Sequence, residues 1–231
     1  TARERATGFG TSTKGYIGTG YDGVRKKDFW EYDPGSNSWT QKTDFGGTAR
    51  FSATGFSVGT KGYIGTGDDG GGGGGKVKDF WEYDPSGDTW TQKTDFGGVK
   101  RSQAAGFSIG TKGYLGIGYG GSGGGAPLDD FWEYDPSGNT WTQKATIGGG
   151  ARYSAFGGSA CDKGYFGCGW VAAVRVKTVW EYDPLADTWT QINDFGGTER
   201  INPACFTVNN IMYVGTGYDG ASKKDFWRYV N

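Results

Sequence analysis

Two sets of side chains in this sequence could bind or transform a ligand. One is a series of arginines, Arg3, Arg50, Arg101, Arg152 and Arg200, each opening a similar short segment. Five guanidinium groups held at one level could converge on a carboxylate, sulfate or phosphate, because the planar fork of N–H donors matches an oxyanion. The residues beside them differ from copy to copy: Glu4 and Arg5, Phe51 and Ser52, Ser102 and Gln103, Tyr153 and Ser154, Ile201 and Asn202. The second set is aromatic. Tyr21, Tyr119, Trp170 and Tyr218 stand in stretches that vary in length and composition from copy to copy and, with Phe51 and Tyr153, could stack on a sugar ring or anchor a peptide. Each set also has a structural reading. The arginines can pair with acids of neighbouring turns such as Asp44, Asp95 or Asp194, and the rings can pack over an adjacent unit.

Catalytic chemistry is poorly provided for. The chain has no histidine, so it offers neither an imidazole base nor a histidine metal ligand. Glu31, Glu82, Glu133 and Glu181 recur with the repeat described below and read as solvated or paired strand positions rather than a unique acid–base pair. Asp22, Asp68, Asp69 and Asp219 sit in glycine-rich stretches but lack the dense oxygen-ligand spacing of a dedicated calcium loop. The glycine run from Gly70 to Gly75 is not followed by Lys-Ser/Thr and a helix, so it reads as a loop and not a phosphate cradle. No catalytic residue, metal site or cofactor is therefore expected. Cys161, Cys168 and Cys205 are odd in number and lack repeat equivalents, so they read as small buried residues and not a disulfide framework.

What must position these residues is an internal repeat. Asp28-Phe29-Trp30-Glu31-Tyr32-Asp33-Pro34 returns four more times with its Trp at 81, 132, 180 and 227, at spacings of 51, 51, 48 and 47. Such a period marks an array of supersecondary units. Each unit divides at turn signals into four short segments. Segment A opens with the arginine, segment B reads Lys-Gly-Tyr-Ile-Gly-x-Gly in its best copies, segment C is Asp-Phe-Trp-Glu-Tyr, and segment D is Trp-Thr-Gln-Lys closed by Asp-Phe-Gly-Gly. Period-2 alternation in segment C sets Phe29 and Glu31 on one face and Trp30 and Tyr32 on the other. The Asp-Pro turn after it is built for a tight reversal. Recurrence makes Trp30, Tyr32, Trp39 and their copies core residues.

Four short antiparallel strands per unit cannot bury both faces alone, so consecutive sheets must stack, and a closed ring of them is a β-propeller. The sequence here resembles the kelch repeat. A glycine pair follows a hairpin, then come a Tyr and, seven residues on, a Trp: Tyr32 and Trp39, Tyr83 and Trp90, Tyr134 and Trp141, Tyr182 and Trp189. It departs from the family's adjacent glycines in having Gly-x-Gly, as in Gly18-Thr19-Gly20. The expected fold is all-β, one five-bladed propeller with repeats at about 1–47, 48–98, 99–149, 150–197 and 198–231. Segment D occurs four times, so the last blade is expected to lack its outermost strand and to offer an open edge for self-association, with Lys223, Lys224 and Arg228 as the charges guarding it.

The kelch resemblance also carries functional expectations. The copper chemistry of galactose-oxidase-like relatives needs histidines and is excluded residue by residue. A non-catalytic binding module or scaffold for a protein or glycan is the leading reading, on a bacterial extracellular or cell-surface protein. A mutarotase- or epimerase-like enzyme using Arg and carboxylates, and a structural fragment assembling through its open edge, are the alternatives. With 24 basic and 25 acidic residues, no global field draws the chain to nucleic acid. No apolar run is long enough to span a bilayer, and neither an anchor nor a signal peptide is expected, since Thr1 falls directly in repeat sequence.

Overall fold

The computed structural model describes residues 1–72, 74–121 and 125–229, so part of the Gly70–Gly75 run and of the loop after Tyr119 lies outside the described residues. The chain is all-β, a propeller-like arrangement of antiparallel sheets, with no helix among the described residues. The first sheet comprises Thr7–Gly10, Gly15–Gly18, Phe29–Asp33 and Ser38–Lys42, paired in sequence order. Thr54–Val58, Lys61–Gly65, Phe80–Asp84 and Thr89–Lys93 repeat that order. The third unit lengthens its middle strands to Lys112–Gly120 and Ala126–Asp135, and short strands at Arg101–Ser102, Arg152–Tyr153 and Trp170–Val171 join it to its neighbours. The fourth is Phe156–Ala160, Lys163–Gly167, Val179–Asp183 and Thr188–Ile192. The last described sheet has three strands, Ala204–Val208, Ile211–Gly215 and Phe226–Tyr229. Segments A to D are thus strands in the expected order.

Stacking is aromatic. Phe29 is fully buried and lies 4.8 Å from the ring of Tyr83 and 4.9 Å from that of Trp90, edge-on in both cases. Phe80 meets Tyr134 and Trp141 in the same way, and Phe131 meets Tyr182 and Trp189. Edge-to-face pairs of this kind contribute about 0.5–1.5 kcal/mol each beyond area burial. The alternation in segment C is therefore real: its Phe faces the following sheet, while Trp81 packs towards Phe45 of the preceding one. The Gly of Lys-Gly-Tyr is needed because a Cβ at Gly62, Gly113 or Gly164 would strike the Phe of the neighbouring segment A, namely Phe9, Phe56 or Phe107.

At the two ends of the array the expected core is incomplete. Trp39 is 54 % exposed, and Phe226 and Trp227 are 49 % and 41 % exposed. Trp39 has no sheet before it and Phe226 none after it among the described residues, whereas Trp227 still meets Phe195 at 5.9 Å and lacks instead a fourth strand beside it. Main-chain bonds between innermost turns run from Ser52 N–H to Arg5, Gln103 N–H to Ser52, Ser154 N–H to Gln103 and Asn202 N–H to Ser154.

The Gly-x-Gly of segment B is a register shift in the sheet, seen between Gly116 and Gly118. Its middle residue is left-handed at Thr19, Thr66, Ile117, Cys168 and Thr216, with φ from 52 to 60°. The following glycine has φ from 92 to 107°. At Gly20 a side chain would also press on the backbone of Glu4 and Ala6, so only glycine fits.

Candidate functional site

The five arginines do not form a ligand ring. Arg50, Arg101, Arg152 and Arg200 are fully buried and Arg3 is half-buried. In four repeats the guanidinium makes a two-pronged contact with the aspartate heading segment C: Arg3 with Asp28, Arg50 with Asp79, Arg101 with Asp130 and Arg200 with Asp225, at 2.6–2.8 Å. The next Trp donates its indole N–H to the same carboxylate, as Trp30 to Asp28 at 2.8 Å and Trp132 to Asp130 at 2.8 Å. The arginines' partners are thus the aspartates of segment C, and not Asp44, Asp95 or Asp194. The sheet register brings the loop between segments B and C back over the start of segment A. Hydrogen bonds from Arg3 hold Asp28 down at about 2. Asp130 is lowered as well: its burial, the largest single effect, raises it, but the bonds and charge of Arg101 together with the Trp132 N–H outweigh it. Residues engaged in this way lock the strands together and are not displayed to a ligand.

One layer further in lies a cavity, the candidate mouth of a channel between the sheets. Glu4, Arg5, Ser52, Gln103, Ser154 and Asn202 line this cavity of about 450 Å³, so every repeat contributes. Arg5, Ser52, Gln103, Ser154 and Asn202 all have left-handed backbone, φ 51 to 57°. Side-chain-bearing residues in that region cost about 1–2 kcal/mol each, and such strain gathers at functional sites. The main chain at these positions is occupied by the bonds between neighbouring turns, which leaves the side chains for the cavity. Their polar groups are hydroxyls, carboxamides and one Glu4–Arg5 pair at 3.8 Å. Ser154 donates to the Gln103 carboxamide oxygen at 3.0 Å.

Around the mouth stand the aromatic candidates. Tyr21 meets Phe51 edge-on at 5.7 Å, and Tyr119 meets Tyr153 at 5.2 Å, with Tyr153 stacked on Trp170 at 6.5 Å. Cations cover several faces: Arg5 and Arg25 lie over Phe51, Lys76 over Tyr119, and Arg175 over both Trp170 and Tyr218. The rings therefore pack on one another and on their neighbours' cations, and among them Tyr218 is the exposed one at 41 %. The loop acids are likewise engaged, Asp22 with Lys26 at 2.9 Å and Asp219 with Lys223 at 2.6 Å. The recurring glutamates each accept a tyrosine hydroxyl, Tyr63 to Glu82 at 2.7 Å being one case. No disulfide links the cysteines: Cys168 is buried and Cys205 half-buried, as the sequence reading has it, but Cys161 lies exposed in a turn.

Sequence reasoning placed Arg5, Ser52, Gln103, Ser154 and Asn202 beside the candidate arginines without assigning them a role. Their signal was the variable second residue after each arginine, followed by Ala or, once, Pro203.

Comparison with known proteins agrees with the fold. A family model described as the kelch motif matches residues 119–147, which hold the loop and segments C and D of the third repeat. Among solved structures, one titled "Structure of YjhT" superposes with a TM-score of 0.80 at 16 % identity, covering 94 % of this chain and 73 % of that one. At that identity the likeness is one of fold. No curated protein matches. The kelch resemblance therefore holds in one matched motif and in the fold of nearly the whole chain.

Proposed function

From a kelch-type fold whose structural residues are constant and whose channel mouth is not, we propose that the chain is a non-catalytic binding module that takes a polar ligand, a glycan terminus, at the mouth. We read the sheets as five blades around that axis, the last lacking its outer strand. The observation that carries the reading is the ring of left-handed residues Arg5, Ser52, Gln103, Ser154 and Asn202, different in almost every repeat and facing one cavity. Hydroxyls and carboxamides suit a sugar's hydroxyl groups, since each can donate and accept. Tyr218, Trp170 and Tyr21 would widen the contact to neighbouring sugar units. The extracellular or surface location belongs to the same reading and rests on the kelch resemblance.

A glycan array followed by calorimetry tests it. Binding that falls at least tenfold in Gln103→Ala and Asn202→Ala, both still folded, supports the mouth. Binding untouched by either substitution overturns it. An enzyme reading would rest on Glu4 and Arg5, the one carboxylate–guanidinium pair at the mouth. Turnover of a bound sugar, seen by NMR and lost in Glu4→Gln, would replace the non-catalytic reading with that one.

A further inference from the structure

The fourth repeat breaks the arginine pattern and leaves donors with nothing to bond. Where Asp28, Asp79, Asp130 and Asp225 stand in the other repeats, this one has Thr178. Arg152 is fully buried, yet its Nε has no hydrogen-bond partner, and neither does the buried indole N–H of Trp180. Its remaining contacts are to carbonyls, Gly149 at 3.0 Å and Cys168 at 3.5 Å. Elsewhere the same group is also covered by a ring, as Arg50 by Phe45, Arg101 by Phe96 and Arg200 by Phe195. Here the equivalent residue is Ile147. Arg50 and Arg200 also donate to a threonine hydroxyl, of Thr48 and Thr198, where this repeat has Gly150. The cation has thus lost its carboxylate, its ring and its hydroxyl together: the indole N–H that elsewhere serves the carboxylate is left unpaired, and so is the Nε, which elsewhere donates to the carbonyl of Thr48, Val99 or Thr198.

Burial lowers the Arg152 guanidinium to about 10, so at neutral pH it still carries its charge. A buried charge without a counter-ion is strongly destabilising. The aspartates in the other repeats have side chains 20–37 % exposed, so in those repeats the carboxylate stands at the edge of the solvent.

We propose that a small monovalent anion, formate, acetate or chloride, binds between the Arg152 guanidinium and the Trp180 indole N–H, in the place of the missing aspartate carboxylate. Other repeats of the same chain supply the template: two guanidinium nitrogens and one indole N–H on a single carboxylate. The anion is a structural ligand, distinct from whatever the channel mouth binds.

The test is thermal unfolding of the whole chain at constant ionic strength in sodium formate, acetate or chloride, against sodium methanesulfonate, whose bulk exceeds a carboxylate. A ligand of the folded state raises the melting temperature by mass action, by roughly 3–5 °C at ten times its Kd for a domain of this size. That rise is expected in the native sequence. Thr178→Asp should melt higher in methanesulfonate and lose the anion-dependent rise, since its own carboxylate takes the place. An equal rise in both proteins, or none in the native one, overturns the proposal. Should Thr178→Asp not fold, Trp180→Phe keeps the question open to decision: its anion response should fall by at least half, and an unchanged response refutes the site. Bromide soaked into crystals should give an anomalous peak between Arg152 and Trp180, and a peak elsewhere only would refute it.

Discussion

Replacing Asp130 by Asn removes one charge at almost constant shape and should be among the most damaging single changes in the chain. Arg101 has no exposure to water, and Asp130 meets it at 2.6 and 2.7 Å while accepting the Trp132 indole at 2.8 Å. Removing one partner of a buried pair leaves an uncompensated charge and costs about 3–5 kcal/mol. An amide also turns an N–H₂ group towards the guanidinium or the indole, so one further donor goes unmet, at about 1 kcal/mol. Three to five kcal/mol corresponds to a fall in melting temperature of roughly 8–15 °C in a domain of this size. Urea unfolding of Asp130→Asn, Arg101→Met and the double change Arg101→Met/Asp130→Leu would resolve the terms. The double change should cost less than Asp130→Asn alone, because it leaves no charge behind. A cost below about 1 kcal/mol for Asp130→Asn, or additive costs in the double change, would refute the view that these clusters hold the sheets together.

Acid should loosen the fold in a defined window. Asp28 at about 2, with Asp130 and Asp225 also lowered, have folded values below the unfolded value of about 3.9, so their stabilisation is complete above about pH 5 and lost as pH falls towards 2. Circular dichroism across that range should show the loss, and a flat stability profile would contradict it. Gly62→Ala should cost about 1–3 kcal/mol by forcing Phe9 out of place, measured in urea. In the native protein a chromogenic disulfide reagent should titrate one thiol quickly, that of Cys161, because burial pushes Cys168 and Cys205 up to about 12 and leaves little thiolate.

The repeat, its four segments and their strand character were legible because turn residues and period-2 alternation are local signals, and five copies average out local noise. The arginines' partners were not. Asp28, Asp79 and Asp130 were visible at the head of segment C, but only the register of the B–C hairpin carries them back to Arg3, Arg50 and Arg101. The Thr at 178 was equally visible and carried no meaning until that pairing was known. Trp39 read as core by recurrence, yet its burial depends on a neighbouring sheet and not on its own repeat. The mouth residues escaped notice as a site because backbone angles near +50° leave no compositional trace when the residue is Gln or Ser and not Gly.

That ring of left-handed residues has a consequence for how such a protein can change. At Ser52, Gln103, Ser154 and Asn202 the main-chain N–H is satisfied by the preceding turn whatever the side chain is. Under the proposed binding role, fold information and recognition information would therefore be stored in separate alphabets, one in the recurring Arg, Trp and Gly positions and the other in five letters around the cavity. A library that randomises those five letters alone should yield mostly folded members with new preferences, as a lock accepts new pins in an unchanged barrel.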